Sequence, residues 1–486
     1  MRAKRANNVS VMLGRLLYIG FSVQIVFGII WMVKNIVYVQ MFGEASGNLT
    51  LSELLRGDGD TGILYPAIVL LTRALGEITF VPWYSYLYIV QLVLAVPAGF
   101  CLLREAELFG RKWRRYIWGS LVIMTFPMIL QIHMAIMVNS IVLSLLMFQA
   151  AFCIRAWKCL KNNKSGTIDY VYAVSGVALF WLLLTLTQWI YIFIAAVPVV
   201  ITVIGVIIVS AKKTVNAKKN NVGSAGRYGL RRDILSVLMT LVLFLGITLG
   251  LDRLTTDYSM SQRASFSIER QMFIRVAWHS RVCYPGLWMY ELGSVVGDEV
   301  MNATYCHQEN VENLMMPMLE QELGREKALE IYRYGNKIAW TENRNDILHD
   351  VLVDTAGYVI PPVITSIYLD KGTSISYIAR NYDSFKRNAP VFSKYYIDYS
   401  MLWFEAALII GFAIFILQFF SKANRVDKRV AGAYIVMCVV CLLIAVRNVM
   451  LGSCMYDYKE AGSAVVAWFM AIFVTCGNAV FDEDVK

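Results

Sequence analysis

The stretch Leu55-Arg-Gly-Asp-Gly-Asp-Thr-Gly-Ile-Leu-Tyr-Pro66 carries the most pointed chemistry in this sequence. Asp58 and Asp60 stand two apart, interleaved with Gly57, Gly59 and Gly62. Glycines admit positive φ and let a backbone approach a ligand closely. Carboxylates held this way can take a proton from an acceptor hydroxyl as general base, or bind a divalent cation. A divalent cation is the one cofactor such a loop has the chemistry to hold. The same residues also make an ordinary solvated turn, and both readings stand.

A second group lies further on. His133 ends an apolar run and Asn139 opens the next, so both fall near one membrane face. Either could line a polar cavity, or simply meet headgroups and water. Arg447 closes a late apolar run on the side where basic residues are disfavoured. An arginine fork there suits a lipid phosphate or pyrophosphate. Arg275 and Arg281, flanking His279, are a second phosphate-binding candidate; the plain alternative for all three is a carboxylate partner or a phospholipid headgroup. The four histidines show no metal-ligand spacing. Cys438 and Cys441 form a CxxC inside an apolar run, where packing is the default, while Cys283 and Cys306 could pair. Asn48-Leu-Thr50 and Asn302-Ala-Thr304 match the glycan-acceptor pattern. P-loop, GxSxG and HExxH motifs are missing from the sequence.

The elements that must position these groups are membrane helices. The chain is 58% hydrophobic and only 16% charged over 486 residues, whereas soluble domains are about a quarter charged. Apolar runs predict about ten spans, near 13–33, 84–104, 116–133, 134–155, 171–187, 189–210, 234–251, 401–420, 430–447 and 461–481. The formal charge of +10 is not a nucleic-acid footprint. Residues 252–400 hold 15 Lys/Arg against 19 Asp/Glu, and most other basic residues sit in alternate short loops. Arg104, Arg111, Lys112, Arg114 and Arg115 follow the second run, and Arg155, Lys158, Lys161 and Lys164 the fourth. This positive-inside pattern puts both termini in the cytoplasm, and 34–83 and 252–400 outside. Ile63–Leu75 is too short to span and predicts a helix at the outer interface. The 252–400 segment reads as mainly helical and membrane-resting: Ala328, Ile331, Tyr332, Gly335 and Ile338 recur at helical spacing, as do Ile347, Leu348, Val351 and Leu352, and Trp278, Trp288, Tyr290 and Trp340 are interfacial in type. Gly324 punctuates one helix end, Thr341 is a candidate cap for the next helix, and Pro361-Pro362 break the run.

This layout resembles the GT-C membrane glycosyltransferases, which include protein O-mannosyltransferases and the enzymes that decorate lipid A or cell-wall polymers. Asp58-Gly-Asp60-Thr-Gly-Ile-Leu-Tyr-Pro66, and Phe126-Pro127 through His133 into Asn139, are similar to that class. A group of GT-C-like bacterial membrane proteins carries something like Asp346-Ile-Leu-His-Asp350 in its outer segment. The likeness covers the first 250 or so residues in layout, and departs from the class where 252–400 lacks a β-rich soluble domain. It implies an all-α integral membrane protein: a transmembrane module 1–251, a helical outer segment 252–400 and closing helices 401–486. It also implies inverting transfer of a sugar from a polyisoprenyl-phosphate donor to a glycan, lipid or protein acceptor, in the cell membrane. Asp58 would be the base, with Asp60 the alternative base or a metal ligand. His133 and Asn139 would line the cavity, and Arg447 would hold the lipid phosphate. Two rivals use the same outer-face groups: a lipid-glycan flippase or transporter, and a polysaccharide polymerase or ligase working through Arg281 and His279.

Overall fold

The computed structural model describes residues 2–36, 41–43, 62–110, 112–136, 138–161, 167–188, 191–205, 260–306, 310–359, 391–420 and 458–481, with 208, 238, 242, 246, 250 and 442 singly. These residues are overwhelmingly helical. Among the described residues three helices are long and apolar enough to cross a bilayer: Met12–Asn35 within α1 (Arg2–Asn35), α3 (Trp83–Glu105), and Val138–Cys159 within α6 (Val138–Lys161). Shorter apolar helices are Val171–Thr187, within α7 (Thr167–Thr187), then Ala196–Gly205, after the turn α8 (Tyr191–Ile194), and Gly462–Val474. Apart from 238, 242, 246, 250 and 442, the apolar runs 234–251 and 430–447 lie outside the described residues, so the described helices support a membrane protein and not a count of ten.

The run expected as one straight span at 116–133 is instead two helices. Here α4 (Trp113–Met124) and α5 (Pro127–His133) meet at 81°. Pro127 causes the break. It has no N–H for the helical ladder, and it drives Phe126 into extended backbone (φ −69°, ψ 129°). The carbonyls freed at a break need donors, because lipid supplies none. Neighbouring helices provide them. Gln24 Nε2 of α1 donates to the Val122 carbonyl at 3.0 Å. The Tyr396 hydroxyl donates to the Thr125 carbonyl. Gln91 of α3, its amide nitrogen turned toward the far end of α5, donates to the carbonyls of His133 (2.6 Å) and Ala135 (3.2 Å). A similar bracket recurs at the next irregularity, where Gln149 Nε2 of α6 donates at 2.8 Å to the Ala195 carbonyl beyond α8. Polar residues inside the spans thus serve the broken backbone.

After α5 the chain forms a short strand, β2 (Ala135–Ile136), paired in parallel with β1 (Met41–Gly43) beyond the end of α1. The helix ends sort onto two rims. On one, Ser85 Oγ at the start of α3 donates to the Ile36 carbonyl (2.8 Å), β1 meets β2, and the Gly62 amide donates to the Thr187 carbonyl (2.8 Å). On the other, Arg155 pairs with Glu105 (3.4 Å) and Lys158 with Glu107 (2.5 Å). The basic rim also carries exposed Lys112 and Arg114.

Two later helices complete the bundle. Helix α14 (Val391–Phe420) antiparallels α1: Phe392 packs on Phe27, and Tyr399 donates to the Gly20 carbonyl at 3.2 Å. It begins ten residues before the apolar run at 401, so Tyr396 and Ile397, counted by sequence with the outer segment, belong to the transmembrane core. Helix α15 (Tyr458–Phe481) packs Phe469 and Phe473 on Phe21.

Where described, residues 252–400 are helical as expected: α10 (Met260–Cys283), α11 (Gly293–Cys306), α12 (Met316–Glu342) and α13 (Arg344–Val359), with π-helical turns at Leu287–Leu292 and Val311–Met315. They have a core of their own, where Phe273 stacks on Trp288 with Tyr332 beside them. A partly buried ion pair, Arg270 to Glu320 at 2.9 Å, ties α10 to α12, and the Tyr332 hydroxyl donates to the same carboxylate. Gly324 (φ 76°, ψ 161°) is non-helical and separates two helices within α12, the helix end that its position in the sequence suggested. Thr341 bonds back to the Lys337 carbonyl and does not cap α13. Ile268 and Met272 on α10 pack against the transmembrane core, which seats the segment on the bundle.

Candidate functional site at the polar rim

The rim that carries Ile36, Gly62 and Thr187 also carries the end of α5. His133 is fully buried there. Its Nδ1 shares a 2.7 Å hydrogen bond with Ser140 Oγ on the first turn of α6, the donor following the ring tautomer. Ser144 Oγ donates in turn to the Ser140 carbonyl at 3.1 Å. His133 Nε2 and, two residues earlier, Gln131 Nε2 are buried with no hydrogen-bond partner among the described residues. Asn139, beside Ser140, is half-buried. The histidine therefore joins α5 to α6 through one ring nitrogen and leaves the other to a polar group that reaches it.

Gly62 ends the acidic stretch. Its amide is tied to Thr187, and a Cβ at this position would overlap the Leu186 carbonyl, so only glycine fits the junction. Asp58 and Asp60 precede it by four and two residues in sequence. They lie outside the described residues, as does Arg447, and so do Asn48, Cys438, Cys441, Pro361 and Pro362. Among the described residues no group of three or more His, Cys, Asp or Glu could hold a metal ion.

Arg275, Arg281 and His279 form a different place from His133. They belong to α10, where His279 Nε2 meets Asp350 Oδ2 at 3.0 Å and Nδ1 meets Asn343 Nδ2 at 3.1 Å. Both ring nitrogens are thus engaged in tying α10 to α13. Arg281 lies over Trp278 (5.1 Å) and Trp288 (6.0 Å), and Arg275 is half-buried. Of the interfacial aromatics expected, Trp278 and Tyr290 are exposed, while Trp288 is core. Cys283 is a free thiol. Burial, then the Glu342 and Asp346 carboxylates, push its pKa above the ordinary thiol value. In the Asn302-Ala-Thr304 pattern Thr304 is buried in α11 and bonded to the Met301 carbonyl (2.7 Å).

Sequence reasoning missed Gln91, Ser140 and Tyr396. Phe126-Pro127 was the one legible sign that a broken helix would need such partners. Comparison with protein-family models, with curated proteins and with solved structures finds no match.

Proposed function

We propose that the chain transfers a sugar from a polyisoprenyl-phosphate donor to an acceptor at the outer leaflet of the cell membrane. The observation that carries this reading is the anchoring of Gly62 to Thr187, on the rim that also holds the His133–Ser140 pair. It fastens the end of the acidic stretch to the rim that carries these buried polar atoms. The basic rim, with Lys112, Arg114, Arg155 and Lys158, faces the cytoplasm by the positive-inside rule, which puts the candidate site, and residues 252–400, outside.

In this reading Asp58 removes the acceptor hydroxyl proton as the oxygen attacks the anomeric carbon, with inversion, and the polyisoprenyl phosphate departs. Asp60 serves as alternative base or, with a divalent cation, steadies the phosphate. Arg447 is the first choice for the phosphate clamp, since Arg281 is committed to its tryptophans. His133 positions α6, and Asn139 lines the cavity. The test is an Asp58→Asn, Asp60→Asn double variant, checked for folding and assayed in membranes with a labelled polyisoprenyl-phosphate sugar. Loss of transfer is expected; a folded double variant that still transfers sugar overturns the reading.

One observation favours the flippase or transporter alternative. Broken membrane helices such as α4–α5 commonly build transport sites. Here the break is braced by Gln24, Tyr396 and Gln91, which favours a fixed scaffold over a moving gate. Movement of a lipid-linked glycan across proteoliposomes without acceptor would reverse that preference.

A further inference from the structure

The turn that joins the interfacial helix to α3 places a large apolar side chain where few residues would go. Helix α2 (Leu64–Thr79) buries Tyr65, Val69, Thr72 and Gly76 against the bundle. Its opposite strip, Leu71, Leu75 and Ile78, is exposed, with Ile78 74% and the following Phe80 95% accessible. Arg73 and Glu77, four apart, mark a third, polar flank. A helix with one face on protein, one apolar and one charged belongs in the membrane interface.

Phe80 stops α2 in the left-handed conformation (φ 59°, ψ 18°). That region disfavours bulky L-residues and is usually filled by glycine or asparagine at a helix end. The turn is braced on both sides. The Tyr86 hydroxyl donates to Thr79 Oγ1 (2.7 Å), the Ser85 amide to the Pro82 carbonyl (2.9 Å), and Arg73 lies over Trp83 at 5.0 Å. The next residues, Trp83, Tyr84 and Tyr86, are partly exposed and open a helix long and apolar enough to cross the bilayer, the position of an interfacial aromatic belt. Phe80 therefore stands where headgroups meet acyl chains, and α3 continues with the exposed apolar Ile89 and Val93.

We infer that Ile78 and Phe80 form a rigid wedge inserted among the acyl chains of the outer leaflet, whose partner is the lipid surface itself. The wedge fixes the depth of α2 and of Gly62 just ahead of it. The inference does not depend on sugar transfer.

The test uses the full-length protein in phospholipid vesicles, with photoreactive p-benzoylphenylalanine in place of Phe80 and, separately, of Ile78. Val93 on the span serves as the lipid-facing reference and Glu107 on the basic rim as the aqueous one. After illumination, mass spectrometry is expected to find lipid adducts at 78 and 80 at yields comparable with Val93, and at least about tenfold above Glu107. Adduct yields at both positions as low as at Glu107 would overturn the inference. So would crosslinks joining two copies of the chain in place of lipid adducts, since they would make the strip a protein interface.

Discussion

At the scale of residues, the buried polar side chains are mostly partners of irregular backbone. Tyr396 shows this most simply, since its hydroxyl donates to the Thr125 carbonyl, two residues before Pro127. Tyr396→Phe keeps the ring and removes the donor. It is expected to cost about 1 kcal/mol, the scale of a membrane-protein hydrogen bond, read as a lower midpoint in thermal unfolding in detergent. An unchanged midpoint would show that another group satisfies Thr125. Cys283 offers a pH test. Its raised pKa leaves less thiolate at neutral pH than in a free thiol. Alkylation should therefore begin at more alkaline pH than for a model peptide, and Glu342→Gln should shift the onset back toward neutrality, as read by peptide mass spectrometry over a pH series. Gln24 and Gln149 are polar residues within apolar runs of the sequence, but their carbonyl partners lie 98 and 46 residues away and could not be read there.

At the scale of elements, what the sequence conveyed well was helix type, and what it conveyed poorly was where helices bend or begin. The period of apolar residues runs through Thr125-Phe-Pro127 almost unbroken, so composition alone favoured one straight span where the chain turns by 81°. Helix α14 was placed by its apolar run, yet its polar-looking start, with Tyr395, Tyr396 and Asp398, already packs on α1. A short helix after Gly62 was legible because its thirteen or so apolar residues are too few to span. Its tight seat on α3 was not. A Cβ at Gly76 would stand 2.9 Å from Trp83 Cβ and 3.0 Å from its Cα, closer than side chains pack. Gly76→Ala is thus expected to destabilise by about 1–3 kcal/mol as α2 is pushed off α3. Chemical denaturation would measure it, and a neutral result would mean that α2 slides freely on its support.

At the scale of the molecule, the two rims carry most of the functional argument. Alternate basic loops announced them, and the contacts of Ser85 with Ile36, Gly62 with Thr187, and Glu105 with Arg155 assemble them. Which rim faces outward has a direct check. A phosphatase reporter that works only outside the cytoplasm should be silent when inserted at Gly110 and active at Gly297. The reverse pattern would move the candidate site to the cytoplasmic leaflet and exclude an outer-leaflet transferase. The acidic residues themselves were the most legible chemistry in the sequence, because Asp and Gly at that spacing need no long-range information to be noticed. The His133–Ser140 pair was not, since it depends on a bend that brings α5 back to the start of α6.

The broken span also sets an order of assembly. A straight apolar helix can enter a bilayer alone, because it satisfies its own backbone. The α4–α5 segment cannot, for its loose carbonyls rely on α1, on α3 and, at Thr125, on a tyrosine 271 residues further along the chain. The segment therefore gains its last described partner only when α14 arrives, and a chain halted before Val391 would lack the hydroxyl that covers the Thr125 carbonyl.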